Sequence, residues 1–125
     1  MTTAMLRLAG LVCLLALLLA AQNPNTRKSI AQGKQSYLLH CVECHDQDGK
    51  GLNRRDFSGT APADLTDPSV WTHGTSPAQI FASIRDGTKE DMPPFKGKLS
   101  DQQIWDVVNF VRSLWPEGKR PAVEE

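Results

Sequence analysis

Five consecutive residues, Cys41-Val42-Glu43-Cys44-His45, carry the most specific chemistry in this 125-residue sequence. Two thiols three positions apart, at the end of a helix, reach the two vinyl groups along one edge of a porphyrin and form thioethers with them. A histidine directly after the second thiol is then held under the iron. One ring nitrogen coordinates, and the other needs an acceptor to fix the tautomer. C-x-x-C-H is the attachment signature of c-type haem. Three other readings compete. A thioredoxin-like redox pair wants a βαβ context, and strand signals are missing from this sequence. A zinc site needs four ligands; beyond Cys41, Cys44 and His45 only His40, His73 and carboxylates remain, with no second C-x-x-C. The plainest alternative is a structural disulfide between Cys41 and Cys44. The helical context and the export signal described below favour haem.

A second axial ligand follows by elimination. Met92 is the only methionine outside the first 22 residues, and it lies 47 positions beyond His45. Asp91 and Pro93 flank it, an unusual setting for a methionine that merely fills a core. A thioether ligand raises the potential relative to two histidines. His73 is the rival ligand, but beside Gly74 it reads as a surface histidine at a helix end. His40 directly precedes Cys41 and belongs on the His45 side of the ring.

The elements that must position these residues are helical. Ser29 with Gln32 reads as a capping box opening a helix with Ile30, Gly33, Tyr37 and Cys41 on one stripe. Asp67-Pro68 starts a short helix expected to stop at Gly74. Ser76-Pro77 with Gln79 opens another, carrying Ile80, Phe81 and Ile84 to Gly87. Ser100 with Gln103 opens the clearest one. Its apolar residues Ile104, Val107, Val108, Val111, Leu114 and Trp115 repeat near 3.6 residues, and Pro116 and Gly118 end it. Residues 46–66 and 88–99 show no periodicity. So long a loop in so small a domain makes sense when it packs against something that is not protein. Pro93-Pro94 keeps the second segment extended.

Fourteen basic residues balance fourteen acidic ones, which argues against a nucleic-acid module. The 40% hydrophobic content argues against disorder. Residues 1–22 read as a signal peptide or an uncleaved N-terminal anchor. Arg7 precedes an uncharged run rich in Leu and Ala, of signal-peptide rather than membrane-spanning length. Cys13 sits inside that run as an apolar filler. Residues 23–116 then form the folded domain, and 117–125 a flexible polar tail. In an oxidising compartment Cys41 and Cys44 would not remain unprotected thiols.

The sequence resembles the class I c-type cytochromes of the small bacterial monohaem kind. The resemblance rests on Gly33 and Tyr37 before the haem motif, Asp48-Gly49-Lys50-Gly51 after it, Pro62-Ala63-Asp64-Leu65-Thr66-Asp67, Met92-Pro93-Pro94-Phe95, and the closing stretch from Ile104 to Val111. It implies an all-α cytochrome c-like domain wrapped around one covalent haem c, behind an N-terminal signal or anchor helix. It also implies a crossing of the first and last helices of that domain, with Gly33 and Tyr37 meeting Phe110. The Pro62 carbonyl is the implied acceptor for the ligand histidine. Trp71 either donates to a haem propionate or fills the core, and Arg54 and Arg55 either pair with propionates or form an exposed pair.

The expected function is that of an exported, periplasmic one-electron carrier rather than an enzyme, its iron held by His45 and Met92 and its haem by Cys41 and Cys44. No Ser/His/Asp set, phosphate loop or paired carboxylates stands out. Expected partners are redox proteins such as a respiratory oxidase, a reductase complex or a dehydrogenase; nucleic acid is not among them. Residues 4–21 would meet the membrane if uncleaved. The alternatives are a haem-bearing subunit of a larger oxidoreductase, and a catalytic or sensory haem protein with an open sixth site.

Overall fold

The computed structural model describes residues 3–21, 23–51 and 59–125. Arg54 and Arg55, read either as propionate partners or as an exposed pair, lie outside the described residues. Among the described residues the α-helices are, in order, α1 (Thr3–Ala21), α2 (Arg27–His40), α3 (Val42–His45), α4 (Pro77–Asp86) and α5 (Asp101–Ser113), with 3-10 turns at Pro68–Val70 and Glu117–Lys119. Among the described residues there are two isolated β-bridges and no named strand, so the all-α expectation holds.

The packing centre is the crossing of α2 and α5. A Cβ on Gly33 would stand 1.9 Å from the Asp106 carbonyl oxygen and 2.9 Å from Phe110 Cβ. Only a residue without a side chain lets the two backbones approach so closely. One turn further along α2, Tyr37 is fully buried, its ring centroid 5.0 Å from that of Phe110. Beside this contact lies a polar seam. Ser29 Oγ donates to Asp106 Oδ1 at 2.6 Å, Asn109 Nδ2 donates to Ser29 Oγ at 2.9 Å and to the Pro24 carbonyl at 3.1 Å, and Gln102 Nε2 reaches Asp106 Oδ1 at 3.2 Å. Buried polar groups tolerate this position because they satisfy one another.

The main core lies on the other face of α5. Ile104, Val107, Val108, Val111 and Trp115 pack there with Ile80, Phe81 and Ile84 of α4 and with Phe95 and Leu99, and Met92, Leu65, Trp71 and Trp105 close in on them. Phe81 stacks on Trp105 at 4.4 Å. Two of the three expected capping boxes form: Ser76 and Gln79 at α4, Ser100 and Gln103 at α5. Gly87 ends α4 at φ 74°.

Four elements differ from the sequence reading. Helix α2 is capped by Thr26, whose hydroxyl accepts from the Ser29 N–H at 3.1 Å, so Ser29 is released for the buried seam. The turn capped by Asp67 ends at Val70 rather than Gly74, and α5 ends at Ser113, with Leu114 as its C-cap. Residues 117–125 dock rather than hang free. Asn25 Nδ2 donates to the Ala122 carbonyl at 2.8 Å, the Glu124 N–H donates to the Asn25 carbonyl at 2.8 Å, and Arg27 pairs with Glu125 at 3.0 Å. The apolar side chains of α1 from Met5 to Leu15 are exposed. Among the described residues no helix is long and apolar enough to cross a membrane.

Alanine is favoured over glycine in a helix by about 1 kcal/mol, so the sign of a single substitution tests the crossing. Gly33→Ala should lower unfolding free energy by about 2 kcal/mol or more through overpacking, and Phe110→Ala by about 3–5 kcal/mol. Chemical denaturation checks both, and a stabilised Gly33→Ala variant would mean that the helices do not touch there.

Candidate haem site

Helix α2 hands over directly to the motif. Cys41 is the C-cap of α2 and the N-cap of α3. Its N–H donates to the Tyr37 carbonyl at 2.9 Å, and its own carbonyl accepts from Cys44 at 3.2 Å and His45 at 2.9 Å. The turn closes at Asp46, which adopts φ 62° and whose carbonyl accepts from the Tyr37 hydroxyl. Tyr37 therefore holds both ends of the stretch that bears the two thiols and the imidazole. Burial and the nearby Asp46 and Asp48 push its phenol well above the ordinary tyrosine range, so the hydroxyl stays a donor.

Cys41, Cys44 and His45 are all half-buried. Cys41 and Cys44 are thiols in the structure, not bridged to each other. Burial, with Cys44 close by, pushes the Cys41 thiol up to about 11. His45 Nδ1 lies 3.2 Å from the Ala63 carbonyl oxygen. That contact assigns the proton to Nδ1 and leaves Nε2 as the basic nitrogen. Burial lowers the His45 pKa, against the opposing effects of the Ala63 carbonyl and Asp46.

The acceptor is Ala63 and not the expected Pro62. Pro62 instead packs on Gly51, where a Cβ would meet Pro62 Cβ at 3.4 Å. Gly51 has φ 65° and donates its N–H to the His45 carbonyl at 3.0 Å. The far end of the loop is also fastened: the Leu65 N–H donates to the Gly49 carbonyl at 2.8 Å, and Asp64 Oδ1 accepts from Thr66 N–H and Oγ1 at 2.8 and 2.6 Å. Trp71 takes the core role of its two alternatives. Its Nε1 donates to the Asp64 carbonyl at 2.8 Å and its ring meets Trp115 edge-on at 5.6 Å. Consecutive carbonyls, Ala63 and Asp64, thus serve His45 and Trp71.

Met92 is half-buried against the main core. Its carbonyl accepts from the Thr88 N–H at 3.0 Å, and the following Phe95 and Lys96 N–H groups donate to the Ile84 and Arg85 carbonyls at the end of α4, both at 3.0 Å. His73, the rival ligand, is exposed and engages Glu90 at 2.6 Å. His40 is exposed, edge-on to Phe95 at 6.4 Å. Sequence reasoning did not find the Ala63 carbonyl, the His73–Glu90 pair or the contact of Asp91 with Thr60. Backbone acceptors and pairings between distant loops leave no local pattern.

The donor set fits a covalently attached haem: two thiols not tied to each other, an imidazole with its Nδ1 proton already placed, and a thioether at the edge of an apolar cluster. Trp115 adds a buried Nε1 with no acceptor among the described residues, a donor of the kind a haem carboxylate uses. Fold and donor set define a c-type cytochrome. The family model described as cytochrome c oxidase, cbb3-type, subunit III matches residues 28–111, and the chain belongs to that family. It is a small haem-bearing electron carrier with covalently bound haem c. The chain is 38% identical over 86 residues to the cytochrome c subunit of a quinone-type alcohol dehydrogenase from Gluconobacter oxydans, covering 66% of this chain and 18% of the relative. It is 35% identical over 100 residues to the gluconate 2-dehydrogenase cytochrome c subunit of Pantoea cypripedii, covering 73% and 22%. A solved c-type cytochrome is 33% identical, with a TM-score of 0.57 over 67% of this chain and 98% of its own. The chain thus spans about a fifth of the length of the two dehydrogenase subunits.

Trp71→Phe should cost about 1–2 kcal/mol by leaving the Asp64 carbonyl without its indole donor. Thermal unfolding of the holoprotein measures it; a loss below about 0.5 kcal/mol would mean that water replaces the bond freely.

Proposed function

We propose that Cys41 and Cys44 hold the haem by thioethers, that His45 Nε2 is one axial ligand, and that Met92 is the other. The observation that carries this reading is the His45 Nδ1 contact with Ala63, which orients the imidazole and keeps Nε2 available on the same turn as both thiols. When bound, the haem supplies a one-electron ferric/ferrous couple. His45 and Met92 would both hold the iron and leave no open site for oxygen or peroxide, and the apolar cluster around Trp71, Trp115 and Met92 would exclude water.

The protein's place is at the outer side of the cell membrane. Residues 1–22 serve as its export segment, which the exposed apolar face of α1 suits. Its partners are redox proteins of the kind in which its relatives are subunits: dehydrogenases that deliver electrons, and a cbb3-type oxidase that consumes them. Chain fractionation into periplasm and membranes, with the N-terminus of the product sequenced, tests the export segment.

Two variants test the site. Cys41→Ala or Cys44→Ala should leave much apoprotein and no haem attached through two thioethers, since a small core loses its largest apolar group. A haem-stained gel reads this directly; full covalent haem in both variants would refute the attachment. Met92→Ala should keep the haem attached, lower the reduction potential, remove the methionine–iron absorption band and let carbon monoxide bind. An unchanged spectrum, potential and carbon monoxide response would remove Met92 as the ligand and favour a haem protein with an open sixth site.

A further inference from the structure

Resting on the reading of Met92 as a ligand, we propose that Glu90 and Asp91 are positioning residues that tie the Met92 loop to two other segments, and that residues 60–63 connect that loop to the carbonyl that orients His45. Four observations carry this. Glu90 Oε2 meets His73 Nε2 at 2.6 Å. The Thr60 N–H donates to Asp91 Oδ2 at 3.0 Å. Asp91 adopts φ 70°, a left-handed conformation that costs a non-glycine residue energy and persists only when its surroundings fix it. Three residues after Thr60, the Ala63 carbonyl accepts from His45 Nδ1.

The arrangement is asymmetric. Downstream of Met92 the loop hangs on the main chain of α4 through Phe95 and Lys96, and Gly87 lets Met92 pass closely: a Cβ there would stand 2.6 Å from the Met92 carbonyl oxygen. Upstream, the two side chains before Met92 each reach a different segment. Opening the loop at Met92 therefore requires breaking the Thr60 and His73 contacts, whereas the α4 attachment remains intact. Because Thr60 and Ala63 share one short segment, a shift of the Asp91 contact is passed to the carbonyl that orients His45.

Both contacts are exposed, and each has the modest strength of a surface pair, so the effect is on the open fraction of the loop rather than on folding. The experiment uses the full-length holoprotein and free imidazole as the external ligand. His73→Ala combined with Asp91→Gly should speed imidazole binding to the ferric protein about three- to tenfold, as expected for two such contacts. It should weaken the methionine–iron band and accelerate hydrogen exchange at the Thr60 amide. Asp91→Asn, whose amide oxygen still accepts and which tolerates positive φ, should restore most of the native behaviour. Unchanged imidazole kinetics and unchanged Thr60 exchange in the double variant would overturn the proposal, as would Asp91→Asn behaving like Asp91→Gly. Met92→Ala separates the two readings. If that variant leaves imidazole binding at the native rate, the ligand assignment has failed, and Thr60 exchange alone decides whether the ties exist.

Discussion

Everything at the haem motif depends on how closely α2 and α5 cross at Gly33. With a Cβ-to-carbonyl distance of 1.9 Å for any other residue, the crossing would have to open, and Tyr37 one turn later would lose its seat on Phe110. Tyr37 is the relay between packing and chemistry. Its ring belongs to the helix crossing, while its backbone carbonyl and its hydroxyl hold the two ends of the Cys41–His45 turn. A hydrophobic contact thereby fixes the placement of two thiols and an imidazole, which no hydrogen bond within a five-residue turn could do alone.

The loop beyond the motif follows a different logic, since it has no helix to set its course. Its described ends are fixed by backbone groups and by residues that permit unusual dihedrals: Asp46, Gly49 and Gly51 all lie at positive φ. These bends return the chain so that Leu65 meets Gly49 and the Ala63 carbonyl meets His45. The same economy governs the Met92 loop, where Gly87 and Asp91 take positive φ and the prolines exclude helix. Hydrogen bonds in these segments do less to stabilise the fold than to select one arrangement of it.

The helices were legible because capping is local. Ser76 with Gln79 and Ser100 with Gln103 form the reciprocal bonds that their spacing predicts. Ser29 with Gln32 has the same spacing yet caps nothing, because Thr26 takes that role and Ser29 is drawn into the buried seam with Asp106 and Asn109. A serine's local pattern cannot reveal a partner 77 positions away. The haem motif itself was plain, since its chemistry demands residues in one turn. The histidine's acceptor was misplaced by one residue, from Ala63 to Pro62, because a carbonyl is the same group on every residue and only the path of the loop chooses among them. Trp71 was read either as a propionate donor or as a filling side chain, and its bond to the Asp64 carbonyl was not legible, for the same reason.

The docking of residues 122–125 changes how the domain's boundary is understood. The family match ends at Val111, but Trp115 completes the main core and Ala122, Glu124 and Glu125 cover the start of α2. That end of α2 carries the Thr26 cap and the Pro24 carbonyl that receives Asn109. Asn25, which donates to Ala122 and accepts from Glu124, therefore closes the side of the α2–α5 pair remote in sequence from the haem motif. A domain this small gains from such closure, because little of its apolar surface can be buried by the helices alone. The residues outside the match thus contribute both to the main core, through Trp115, and to the far end of the crossing, through Ala122, Glu124 and Glu125.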